Sequence, residues 1–129
     1  MVLSTYFYQV TSTIETSDGK DAVLAVGLTD FGAAEVSQDA SKGMLSLIEE
    51  ISEKDGSIGC AVVASPQKVN GFAQSGKDRL LLLNVKSGEP VTYYVGAGWS
   101  QDTRFDPFLY KWPKVIATTT YDSLEALYR

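Results

Sequence analysis

The chain predicts an all-β fold, an antiparallel β-sandwich with little helix. Three observations carry that expectation. Short runs rich in Val, Ile, Thr and Tyr recur along the sequence. Gly-containing turn signals such as Asp18-Gly19, Asp55-Gly56 and Lys86-Ser87-Gly88-Glu89-Pro90 separate them. Few stretches keep a helical period, and six or seven strands joined by turns are best satisfied by two packed sheets.

The elements follow in order. Leu3 to Thr16 reads as a long strand, with Tyr6, Tyr8, Val10 and Ile14 on one parity. Ser17-Asp18-Gly19-Lys20 reads as a hairpin turn, because Asp-Gly tolerates positive φ. Ala22 to Thr29 is then the partner strand of that hairpin, and its apolar run suggests burial on both faces. Phe31 to Gly43 is small and polar, hence a loop. Met44 to Ile51 reads as a strand with a short helix as its rival, and Asp55-Gly56 as a second hairpin turn leading into a strand from Ile58 to Ala64. Pro66 to Lys77 reads as a loop, with turn signals at Asn70-Gly71 and Ser75-Gly76. Arg79 to Val85 is a strand, and Val91 to Val95 returns the chain after a turn. Asp102 to Lys114 is interrupted by Pro107 and Pro113 and reads as irregular. Asp122 can cap a short C-terminal helical turn that puts Leu124, Leu127 and Tyr128 on one face.

A chain of 129 residues fits a single domain, residues 1–129, and can bury a core without staples. The opening Met1-Val2-Leu3-Ser4-Thr5 has no positive n-region and starts as a strand would, so the expectation is a domain that belongs to something longer. The net charge of −5 disfavours phosphate backbones and anionic lipid heads, so neither nucleic acid nor a membrane is expected as a partner. Lys111, Lys114 and Arg104 are the nearest approach to a basic patch. The single cysteine, Cys60, lies in an apolar run and reads as a buried, inert thiol. The chain has no histidine, which excludes Ser-His-Asp and Cys-His catalysis and His-based metal sites from its own residues. Neither a cofactor nor a metal is expected. Asp30, Glu35 and Asp39 lack the spacing of a calcium loop, and the cluster Glu49, Glu50 and Glu53 reads as a solvated edge.

Most of the remaining chemistry lies in Thr92-Tyr93-Tyr94-Val95-Gly96-Ala97-Gly98-Trp99-Ser100 and just after it. Adjacent strand residues face opposite sides, so one of Tyr93 and Tyr94 is expected in the core and the other on a surface. Gly96 and Gly98 allow close backbone approach. Trp99 can either seal the end of the sandwich or present its ring to the C–H face of a sugar. Asp102 and Arg104 can pair with each other in a solvated loop, or bind hydroxyls and a uronate at the rim of such a platform. The candidate ligand-binding residues are therefore Tyr94, Trp99, Asp102 and Arg104. No catalytic residue is assigned.

Three pieces in order, Ala25-Val26-Gly27-Leu28, Asp55 to Val63 and Val91 to Ser100, resemble the C-terminal part of a bacterial family of unknown function that is associated with plant-polysaccharide breakdown of the pectin type. The resemblance spans roughly Ala22 to Ser100. It implies a fold similar to the galactose-mutarotase-like β-supersandwich, an oligosaccharide ligand, and export to the periplasm or beyond. Where the family tends to carry a histidine after the Gly27-Leu28 piece, this chain has Asp30 and Phe31. The leading expectation is a glycan-binding or accessory module for polysaccharide degradation. The alternatives are a hydrolase or lyase on uronate-containing glycans, working through carboxylate, Tyr, Lys or Arg chemistry, and a structural half-sandwich that pairs with a second copy or a companion chain.

Overall fold

The computed structural model describes residues 6–32 and 34–128. Eight strands form two antiparallel sheets. They are β1 (Phe7–Thr13), β2 (Ala22–Thr29), β3 (Glu35–Asp39), β4 (Met44–Ser52), β5 (Gly56–Ala64), β6 (Val69–Ser75), β7 (Asp78–Val85) and β8 (Pro90–Trp99). The larger sheet has the order β1-β8-β5-β4-β3, and the smaller has the order β2-β7-β6. Helices α1 (Phe108–Thr118) and α2 (Tyr121–Leu127) follow. The sandwich expected from the sequence is therefore present, with a helical layer added to one side.

The centre of the larger sheet is buried on both faces, which explains its composition. One face, carrying Leu45, Leu47, Val62, Ala64 and Val91, packs on Val26, Leu28, Leu81, Leu83 and Val85 of the smaller sheet. The other, carrying Met44, Ala61, Val63 and Tyr94, packs on Phe105, Phe108 and Trp112, and on Leu124 of α2. A strand covered on both sides loses the polar half of its alternation. That is why Ile58 to Ala64 reads as a continuous apolar run.

Several expectations are corrected. Leu3 to Thr5 lie outside the described residues, and the described strand starts at Phe7. The Asp18-Gly19 turn does not close a hairpin: β1 pairs with β8, and β2 pairs with β7. The same holds at Lys86 to Pro90, where the chain leaves the smaller sheet for the larger. The two crossovers run side by side, tied by Gly88 N–H donating to Ile14 O at 2.8 Å and Thr16 N–H donating to Ser87 Oγ at 3.0 Å. A reversal signal marks where a chain turns, but leaves open which sheet receives it.

The expected loop from Phe31 to Gly43 contains β3, a short edge strand paired with β4. Only its backbone pairing and Val36 recommend it as a strand. The loop from Pro66 to Lys77 contains β6, which a turn at Gly76 joins to β7. Met44 to Ile51 is a strand, not the rival helix.

The irregular stretch contains α1, whose Phe108, Trp112 and Ile116 recur at helical spacing on the face turned to the sheet. Pro113 sits inside the helix, and packing of that face outweighs the missing N–H. Asp122 does not cap α2. Thr120 does, accepting from Ser123 N–H at 3.1 Å while Ser123 Oγ accepts from Thr120 N–H at 3.1 Å.

Candidate functional site

The end of β8 is stapled to the turn between β4 and β5. Ser57 N–H donates to Ser100 Oγ and Ser100 N–H donates to Ser57 O, both at 2.8 Å. Gln101 Nε2 donates to Lys54 O. Gly56 has a φ of +79°, and a Cβ there would lie 2.1 Å from Ser100 Oγ, so the staple requires glycine at this turn. Trp99 is held by the same turn: its indole Nε1–H donates to Asp55 O at 2.7 Å. The ring is nonetheless 46% exposed. It is an aromatic surface whose orientation is already set, so little rotamer freedom remains to be lost on stacking.

Trp99 lies on the face of the larger sheet that meets the smaller one, in line with Val95 and Ala97. Strands stack about 4.8 Å apart, so three strands cannot cover five. Tyr8, paired with Val95, and Ala97 are exposed on this face as well. Beside Trp99 is a recess of about 280 Å³ lined by Ile58, Cys60, Ala97, Asp102, Arg104 and Phe105, among others.

Asp102 and Arg104 form one rigid unit at its rim. Asp102 caps the short 3₁₀ turn Thr103–Phe105 by accepting from Arg104 N–H at 3.0 Å. The guanidinium returns to the same carboxylate, Nη2–H donating to Oδ2 at 2.6 Å and Nε–H to both oxygens at 3.1 Å. It also lies over the Tyr6 ring, 5.4 Å from its centroid. The guanidinium's hydrogen bonds and backbone N–H of Arg104 hold the Asp102 carboxyl below its ordinary value of 3.8, so it is ionised at neutral pH. The pair raises Arg104 in turn. The other N–H bonds of the guanidinium have no partner among the described residues. Cys60 lines the recess with its thiol pushed up by burial and by the nearby charge of Glu49, which keeps it protonated and unreactive at neutral pH.

Three of the four predicted ligand-binding residues, Trp99, Asp102 and Arg104, therefore share one recess. The fourth does not. Tyr94 is fully buried on the opposite face of the sheet, with ring centroids 5.6 Å from Tyr121 and 5.5 Å from Tyr128. Its hydroxyl accepts from Gln9 Nε2 at 3.2 Å. Tyr93 packs into the sandwich core, so neither tyrosine of the pair offers a platform. The expectation that one would be superficial fails because helices cover the far face. The acidic cluster is also corrected at Glu49, which is buried and accepts from Phe31 N–H at 3.0 Å.

The glycines of the signature serve the helical layer. Gly59 and Gly98 face each other across β5 and β8. A Cβ on Gly59 would lie 2.2 Å from Trp112 Nε1, and one on Gly98 would lie 2.7 Å from the same indole. A Cβ on Gly96 would lie 2.6 Å from the Phe7 ring. Bare backbone lets Trp112 and Phe7 lie flat on the sheet.

The architecture defines a two-sheet β-domain with a helical cover and an exposed aromatic at one sheet end. Its sequence places it in a family: residues 1–119 match the model of a domain of unknown function, DUF4861, and the chain belongs to that family. The match extends beyond the Ala22 to Ser100 stretch at both ends and takes in α1. No curated protein and no solved structure matches the sequence.

Proposed function

We propose that this chain is a carbohydrate-binding module that serves polysaccharide degradation, with the Trp99 recess as its sugar subsite. The observation that carries the reading is the pinned, half-exposed indole of Trp99 next to the Asp102–Arg104 pair. A pyranose has an apolar C–H face and a rim of hydroxyls. The indole matches the first, and the carboxylate and the outward N–H bonds of Arg104 match the second. Arg104 also suits the carboxylate of a uronate, as the resemblance to pectin-associated proteins suggests. Hydrolysis of a glycosidic bond uses two carboxylates facing each other across the sugar. Among the described residues, Asp102 is the one carboxylate lining this recess, which favours binding over cleavage.

Titration with oligogalacturonates and with neutral oligosaccharides tests the proposal through tryptophan fluorescence. Saturable quenching is expected from the wild type and none from Trp99→Phe beyond the small change of a weaker stack. An unchanged spectrum across both ligand classes would sink the reading.

A further inference from the structure

A second recess lies on the other side of the larger sheet, between the β3–β4 edge and α1. It measures about 320 Å³, within the range of small-molecule sites, and its lining includes Ser37, Ser46, Trp112, Pro113, Ile116 and Ala117. Trp112 rests on the Gly59–Gly98 floor and fills the space over β5 and β8. The floor over β3 and β4 carries the small side chains of Ser37 and Ser46, paired across the strands. The hollow follows from that mismatch.

Two of its lining residues carry polar groups without a hydrogen-bond partner among the described residues. Ser46 is 6% exposed, and its hydroxyl makes no hydrogen bond among the described residues. Trp112 is 2% exposed, and its indole N–H likewise has no acceptor. The indole is oriented by its floor: Nε1 lies over Gly59, whose neighbour across the strands is Ile48 of β4, whereas Cε3 lies over Gly98 of β8. The N–H edge thus points to the β4 side, towards Ile48, which also lines the hollow. No buried side-chain nitrogen or oxygen among the described residues is both sealed and unpaired, so the Ser46 hydroxyl and the Trp112 N–H are open to an incoming group rather than sealed in the core. A group that offers each of them a hydrogen bond is favoured.

We infer that this hollow is a binding site for a small neutral alcohol or phenol. The ligand oxygen accepts from the Trp112 N–H and donates to Ser46 Oγ. Its apolar body lies against Pro113, Ile116 and Ala117. Among the described lining residues the charged one is Glu35, so an anionic ligand is disfavoured. This site is on the opposite face of the sheet from Trp99 and does not depend on the glycan reading.

The test is a backbone-amide NMR titration of the full chain with 4-methylphenol, toluene and 4-methylbenzoate. Saturable shifts confined to β3, β4 and α1 are expected for 4-methylphenol, with weaker binding of toluene and weakest binding of the benzoate. Ser46→Ala and Trp112→Phe each remove one hydrogen bond and should weaken 4-methylphenol about fivefold while leaving toluene unchanged. Ala117→Trp, at an exposed helix position, should fill the hollow and abolish binding of both. Should Trp112→Phe disturb the fold, Ser46→Ala alone decides between the probes. The inference is overturned if 4-methylphenol produces no saturable shifts there, if it binds no better than toluene, or if the phenol affinity survives Ser46→Ala unchanged.

Discussion

The two tryptophans lie on opposite faces of the same pair of strands, and their surroundings differ in kind. Trp112 arrives from α1, lies flat over Gly59 and Gly98, and packs with Phe105 at 5.9 Å and Phe108 at 6.4 Å between ring centroids. Its N–H has no partner among the described residues. Trp99 belongs to the sheet itself, stands where the smaller sheet no longer covers the larger, and has its N–H committed to Asp55 O. One ring is fixed by area, with its polar atom left available. The other is fixed by a hydrogen bond, with much of its area left available. The difference separates a side chain that holds the helical layer in place from one whose surface is left exposed, as the proposed glycan subsite requires.

Substitutions can break this contrast. Trp112→Ala removes the centre of the helix–sheet contact and is expected to cost about 4 kcal/mol in urea unfolding. Gly59→Ala places a methyl group where the Trp112 ring edge lies, with backbone fixed beneath it. A loss of about 2–3 kcal/mol is expected from the same measurement. A neutral outcome there would mean that α1 can ride up without penalty, and that the glycine floor is incidental. Trp99→Ala should do the reverse: about 1 kcal/mol or less in stability, but roughly thirtyfold in glycan affinity by calorimetry. If it destabilises as much as Trp112→Ala, the ring is a plug and the contrast collapses.

The smallest effect concerns pH at the recess. Asp102 is held below 3.8 in the folded chain, chiefly by the Arg104 side chain. Its folded value lies below its unfolded one, so its contribution to stability is fully present above about pH 4 and is lost as pH falls through the folded value. Carboxyl-detected NMR titration should place the Asp102 midpoint under the ordinary aspartate value, and Arg104→Gln should move it back up. A midpoint unmoved by that substitution would remove the pair as a rigid rim.

Much of the fold was legible from local pattern. Strands β2, β4, β5, β7 and β8 declare themselves through β-branched and apolar runs, and the Asp55-Gly56 turn correctly joins β4 to β5. The edge strand β3 was not legible, because a five-residue strand with one inward apolar side chain looks like a loop. Helix α1 was hidden by its prolines, although Phe108, Trp112 and Ile116 already kept a helical period. That Trp99, Asp102 and Arg104 share one recess was legible from their closeness in sequence. Ser46 and the Trp112 N–H were not, because only the packing of α1 leaves them unpaired over one hollow.

The sequence by itself determined an acidic, histidine-free, mostly β domain, the places where its chain turns, and an aromatic-and-charged cluster after the last strand. These properties depend on residue type and short spacing. The tertiary structure alone decided which sheet each strand joins, that helices cover the far face, and therefore that Tyr94 is core while Trp99 stands free. Strand alternation assigns side chains to faces, but whether a face meets water depends on what lands upon it from elsewhere in the chain.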